Sequence, residues 1–147
     1  MTPAQAGIRD RLAGVPTRVT EAAARAAEPA EGEWSARQIV LHLIAVEDEV
    51  WQARLAQLAT EPTPQWPWVE PTFAYFPGDD SLENVVAAFA TRRAATVAQL
   101  DALDDAGWAR SGTHATYGVL DVAALLQRAV DHDEEHVQAI EGLAARG

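Results

Sequence analysis

The chain contains no cysteine in 147 residues. Disulfides, thiolate metal ligands and a cysteine nucleophile are excluded, so any thiol chemistry must bring its thiol on a second substrate. Basic residues are few: 11 Lys and Arg stand against 22 Asp and Glu, a formal net charge of −11. An acidic surface repels phosphate backbones and anionic lipid surfaces, so no nucleic acid and no membrane is expected as a partner. No apolar run is long enough to cross a bilayer. The opening MTPAQAGIRDRLAG has no apolar stretch like that of a signal peptide,. The expected location is cytoplasmic. A Gly-x-Ser-x-Gly elbow is also missing, which leaves a serine triad without support,.

Against these absences stands an ordinary globular composition, 48% hydrophobic and 22% charged,. A length of 147 residues predicts one domain, 1–147, with a real core,. Four helical segments are readable. The first opens on a capping box, Thr2-Pro3-Ala4-Gln5, and continues through Ile8, Leu12, Val15 and Val19,. Gly14 and Pro16 interrupt it, predicting a kink or break. Ser35-Ala36-Arg37-Gln38 is a second capping box and starts a helix over about 36–59, with Ile39, Leu43, Val46 and Val50 inward,. Prolines at 62, 64, 67, 71 and 77 forbid helix over 61–81,. That connection holds Trp66, Trp68, Phe73, Tyr75 and Phe76, half of all the aromatic residues, so it is expected to fold onto the bundle. A third helix is predicted over about 82–103, a loop over 104–118, and a fourth helix over about 121–145. The fold class is all-α, a four-helix bundle with a long crossover between helices 2 and 3.

Three of the four histidines fall on apolar stripes of this pattern. His132 and His136 are four apart in helix 4, one turn above the other on one face,. His42 lies inside the stripe of helix 2. A lone histidine on an apolar face is ordinarily a satisfied core residue. Three inward imidazoles in one small bundle are harder to satisfy, and neutral imidazole is a strong ligand for zinc, nickel and similar ions. The pattern suggests a site for one divalent metal ion, zinc or nickel, held by His42, His132 and His136, with positions left open. Glu47 and Glu49 are candidate partners for the ligand rings, with simple exposure to water as the alternative for either; His114, among Gly112, Thr113 and Thr116, reads as solvated or locally bonded.

Two other metal patterns fit poorly. His132-Asp133-Glu134-Glu135-His136 matches H-x-x-E-H, but only eleven residues follow, too few for the downstream glutamate of that peptidase class,. A di-iron site needs two E-x-x-H motifs, whereas position 39 is isoleucine and position 133 aspartate,.

WSARQIVLHLIAVEDEVW resembles the helix-2 signature of the DinB/YfiT-like superfamily, and YGVLDVAALLQRAVDHDEEHVQAI resembles its helix-4 signature. There a glycine opens the last helix and H-x-x-x-H lies near its end. The resemblance covers about 45 residues closely and the remainder by architecture. It places His42, His132 and His136 at the family's metal-ligand positions. Two departures stand out: Ala139 replaces a usual glutamine, with Gln138 one position early, and Arg128 stands where small or apolar residues are commoner. Characterised members use low-molecular-weight thiols such as bacillithiol or mycothiol in transferase or isomerase reactions. The resemblance therefore implies a small-molecule substrate, a thiol cosubstrate, an S-transferase-like activity and a homodimer. The competing expectation is a non-catalytic, stress-associated metal-binding protein.

Overall fold

A computed structural model describes residues 1–74 and 81–147. Helix α1 spans Pro3–Ala23, α2 Ala36–Val46 and α3 Ala53–Thr60; between the last two lies a π-helical turn, Glu47–Gln52, so 36–60 is one continuous rod. Strand β1 (Gln65–Trp66) follows, then α4 (Leu82–Asp101), the short α5 (Asp105–Ala109), β2 (Ser111–His114), β3 (Gly118–Asp121) and α6 (Val122–Arg146). The predicted four-helix bundle with its long crossover is present. Among the described residues no helix is long and apolar enough to cross a membrane.

Both capping boxes close as expected. Gln5 N donates to Thr2 Oγ1 at 3.2 Å and Thr2 N to Gln5 Oε1 at 2.8 Å. Ser35 and Gln38 repeat the exchange at 3.1 and 2.8 Å. Each box satisfies two of the N–H groups that a helix start leaves free. The expected break near Pro16 does not occur, because α1 continues to Ala23. Pro16 has no N–H for the Leu12 carbonyl, but Arg93 Nη1 of α4 donates to that oxygen at 3.0 Å,. A side chain from another helix thus replaces the missing backbone bond.

Around the bundle, α1 packs against α6 and α4, and α2 packs against α4 and α6, so α1 and α2 are diagonal to each other. The apolar core is in two parts. One holds Val15, Val19, Ile39, Val40, Phe89 and Ile140; the other holds Leu12, Val50, Leu100, Trp108, Leu125 and Leu126. Arg93 on α4 and His132, Asp133 and His136 on α6 fall between the two sets in sequence, and with His42 of α2 and Glu47 of the π turn they form a polar layer across the bundle.

The predicted loop at 104–118 is a correction. It contains α5, β2 and the first residue of β3, and these strands join β1 in a three-stranded sheet in the order β1-β2-β3. Strand β1 pairs parallel to β2, and β2 antiparallel to β3 with Gly112 opposite Leu120. The crossover is thereby tied to the 111–121 hairpin, and Trp66 is 3% exposed. Its indole N–H donates to Gln57 Oε1 at 2.8 Å. The ring packs against β2 at Gly112, where an added Cβ would come within 2.6 Å of it. Gly118, at φ +76°, makes the turn into β3, and α6 starts four residues later, so the glycine opens a strand instead of the helix,. Of the five crossover rings, Tyr75 and Phe76 lie outside the described residues.

Candidate metal centre

His42 reaches the centre from α2, and His132 and His136 from α6. The ring centroids of His42 and His132 are 5.2 Å apart, those of His42 and His136 4.7 Å, and those of His132 and His136 4.5 Å. One nitrogen from each ring can be chosen so that all three lie within 4.8 Å of one another. His42 Nδ1 lies 2.7 Å from the carbonyl oxygen of Thr72, in the middle of the crossover. A carbonyl only accepts, so Nδ1 carries the proton and Nε2 keeps its lone pair. That Nε2 is 3.2 Å from His132 Nε2. Two nitrogens bound to one ion at about 2.0–2.1 Å stand roughly 3.0–3.4 Å apart, so this pair already has a suitable spacing. Among the described residues the buried Nδ1 of His132 has no hydrogen-bond partner, so the three rings do not satisfy themselves,. The donor set and its spacing fit a divalent ion.

Electrostatics favour the neutral, ligating form. Burial, then the neighbouring His136 and His42 rings and the Arg93 charge, push His132 down to about 3,. Burial and His42 also lower His136, with Glu135 opposing them. Trp34 stacks over His136 at 6.1 Å and 8°, and packs on Phe73 of the crossover at 4.9 Å. The histidines open into a cavity of about 370 Å³. The crossover supplies part of its wall through Trp68, Val69, Glu70 and Pro71, and the hairpin supplies His114, Tyr117 and Leu120.

The family model of the DinB superfamily matches residues 6–140. The chain belongs to the DinB superfamily. Among solved structures it is similar to YfiT from Bacillus subtilis, described as a probable metal-dependent hydrolase with an unusual four-helix bundle topology. Sequence identity is 20% and the TM-score 0.74, over 99% of this chain and 89% of that one. At this identity the likeness speaks for the fold. No curated protein matches the sequence.

Neither glutamate partners the rings: Glu49 faces water, the alternative reading, and Glu47 is buried elsewhere. Glu47 follows His42 by five residues, about 140° round a helix, and so faces α4. It is 1% exposed and bound to Arg93. Arg93 Nε and Nη2 donate to its two carboxylate oxygens at 3.0 and 2.9 Å, and Thr96 Oγ1 donates at 2.7 Å. The same guanidinium donates to Asp133 at 2.7 and 3.1 Å. Burial opposes the charge on Arg93, but Asp133 and Glu47 outweigh it and hold its pKa above the ordinary value. Glu49 is exposed, carried off the His42 face by the π turn. His114 is locally bonded, as one of its two readings held: Nδ1 accepts from Thr116 N at 2.9 Å and Tyr117 N at 3.3 Å. It is not solvated, being 4% exposed. Sequence reasoning also missed Arg54, buried on α3 and lining the cavity. Arg128 stacks its guanidinium on Tyr117 at 4.5 Å and lines the same cavity, while Gln138 points away to bond Glu134 at 3.0 Å.

Proposed function

We propose that this DinB-superfamily protein binds one divalent ion per chain, zinc or nickel, through His42, His132 and His136, and uses it to activate a low-molecular-weight thiol for transfer to a small electrophile. The observation that carries the reading is the fixed tautomer of His42, whose bare Nε2 faces His132 beside an open cavity. A bound divalent ion supplies Lewis acidity, which lowers the pKa of a thiol or water beside it. Three neutral ligands leave the ion's charge uncompensated, which strengthens that effect. The chain's own residues do the remaining work. Thr72 orients the His42 ring, burial keeps His132 uncharged, and Trp34 with Phe73 covers one side of the cluster. With no cysteine in the chain, the thiol enters the cavity as a cosubstrate.

The likeness to YfiT favours a second reading, hydrolysis, in which water takes the place of the thiol. Calorimetric titration of metal-free protein with zinc and nickel comes first, and the expected stoichiometry is one ion per chain, lost in His42→Ala. Loaded protein is then assayed for conjugation of thiols to an aryl halide and for ester and amide hydrolysis. Conjugation alone supports the transferase, hydrolysis alone the second reading, and neither leaves a binding protein without catalysis. Failure to bind any ion overturns the proposal.

A further inference from the structure

Away from the histidine cluster, the same cavity is lined by a buried cation that no described residue neutralises. Arg54 is 8% exposed. Its guanidinium lies 5.4 Å from the centroid of Trp66, and its one hydrogen bond among the described residues runs from Nη2 to the Pro67 carbonyl at 3.1 Å. Arginine carries five N–H donors. Among the described residues no carboxylate pairs with it. Every other strongly buried charge in the bundle is matched: Arg93 has Glu47 and Asp133. A buried, unpaired charge is costly, and such groups ordinarily find a partner.

The second observation is a neutral donor in the same cavity. Two backbone N–H groups point at His114 Nδ1, so that nitrogen is bare and the ring proton sits on Nε2,. Among the described residues Nε2–H has no acceptor. Burial, and after it the Arg54 charge, lower the His114 pKa, so the neutral donor persists at pH 7,. One fixed positive fork and one fixed neutral donor therefore share a chamber of about 370 Å³ with the three histidines.

We infer that Arg54 and His114 form a carboxylate-binding subsite, so that the ligand of this cavity is a small molecule carrying a carboxylate. The planar guanidinium fork matches a carboxylate in two parallel bonds. A monoanion is favoured over a phosphate dianion because Glu70, Asp131 and Glu135 line the same cavity, with only the exposed Arg128 adding positive charge. The carboxylate would neutralise Arg54, leaving the rest of the molecule to extend toward the histidines. The inference rests on reading the cavity as a substrate chamber, but not on an ion being bound.

The test uses metal-free, nitrogen-15-labelled protein at pH 7.5, with benzoate as the probe and benzamide and inorganic phosphate as controls. Benzoate is expected to saturate and to shift the Arg54 Nε–H resonance. Benzamide and phosphate should bind at least tenfold more weakly. Arg54→Met should weaken benzoate at least tenfold, and Arg54→Lys, which keeps the charge but loses the fork, should weaken it less. Should Arg54→Met not fold, the Arg54 resonance of the unaltered protein decides the matter. Unmoved Arg54 Nε–H, equal binding of benzamide, tighter binding of phosphate, or full affinity in a folded Arg54→Met protein each overturns the inference. Zinc titration of the same sample separates the two claims. Benzoate binding without zinc binding keeps this subsite and removes the metal reading, and the reverse result does the opposite.

Discussion

Replacing Arg93 with methionine keeps a long side chain beside Phe89 but removes the only cation in the layer between the two halves of the core. Glu47 and Asp133 then face each other without a counter-charge, and the Leu12 carbonyl loses the donor that stands in for the missing Pro16 N–H. Removing one partner of a buried ion pair costs about 3–5 kcal/mol. An orphaned buried carbonyl costs about 1–3 kcal/mol more, not strictly additively. Asp133 limits the loss by taking up a proton. Burial raises Asp133 to about 6 even with Arg93 pulling it down. Without Arg93 it rises further. A folded-state carboxylate pKa above the unfolded value near 3.9 means that the folded protein holds a proton the unfolded chain has released, so stability falls as pH rises through that window. The cost of Arg93→Met should therefore be smaller at pH 5.5 and reach about 4 kcal/mol at pH 8. Urea unfolding at both pH values, in chelating buffer so that metal makes no contribution, measures it as the difference from the unaltered protein. A cost under about 1 kcal/mol at pH 8, or one equal at the two pH values, refutes the argument. Adding Pro16→Ala should recover about 1 kcal/mol beyond additivity, because residue 16 can then donate to Leu12.

Three further outcomes are expected. His42→Ala and His132→Ala each abolish zinc or nickel binding in calorimetry, whereas His114→Ala retains one ion per chain. The neutral His132 contributes stability that is fully present above its unfolded pKa near 6.5 and is lost as pH falls from there toward about 3,; metal-linked stabilisation, read as the rise in Tm on adding zinc, should vanish over the same descent, and an equal rise at pH 4.5 would argue against histidine ligation. We propose a homodimer formed through the crossover, where Trp68 is 58% and Val69 43% exposed,; sedimentation at micromolar concentration should give twice the mass of one chain, and a single-chain mass would refute it.

The parts legible from sequence were those set by periodicity and by helix ends. Apolar residues three and four apart placed His42, His132 and His136 on inward faces, and the two capping boxes located the starts of α1 and α2. What was hidden depended on departures from the regular period. Nothing in EDEVWQ distinguishes a π turn from an α turn, so the outward swing of Glu49 could not be read. The inward turn of Glu47 was within reach of helix angles alone. SGTH and GVLD are short strands without alternation, and the pairing of SGTH with Gln65–Trp66 joins residues 48 positions apart. The buried roles of Arg54 and His114 depend on that pairing, because it seats Trp66 and sets the hairpin beside the cavity. Pro16 signalled a break by the local rule, and only a residue 77 positions later overrides it.

The π turn has a consequence for how the chamber is phased. An α-helix advances about 100° per residue, so Arg54, twelve residues after His42, would project about 120° away from it on a regular rod. A single π bulge absorbs one surplus residue, which returns about 100° and leaves the two side chains within roughly 20° of a common meridian. The chamber's cation and its first imidazole are thus aligned by a count of residues, independent of which residues fill the turn. Substitutions within Glu47–Gln52 can preserve that alignment, and so would deletion of one residue there, because eleven α-helical steps turn about 20°, whereas keeping all six residues and letting the turn re-form as α-helix would rotate Arg54 about 120° away from His42,.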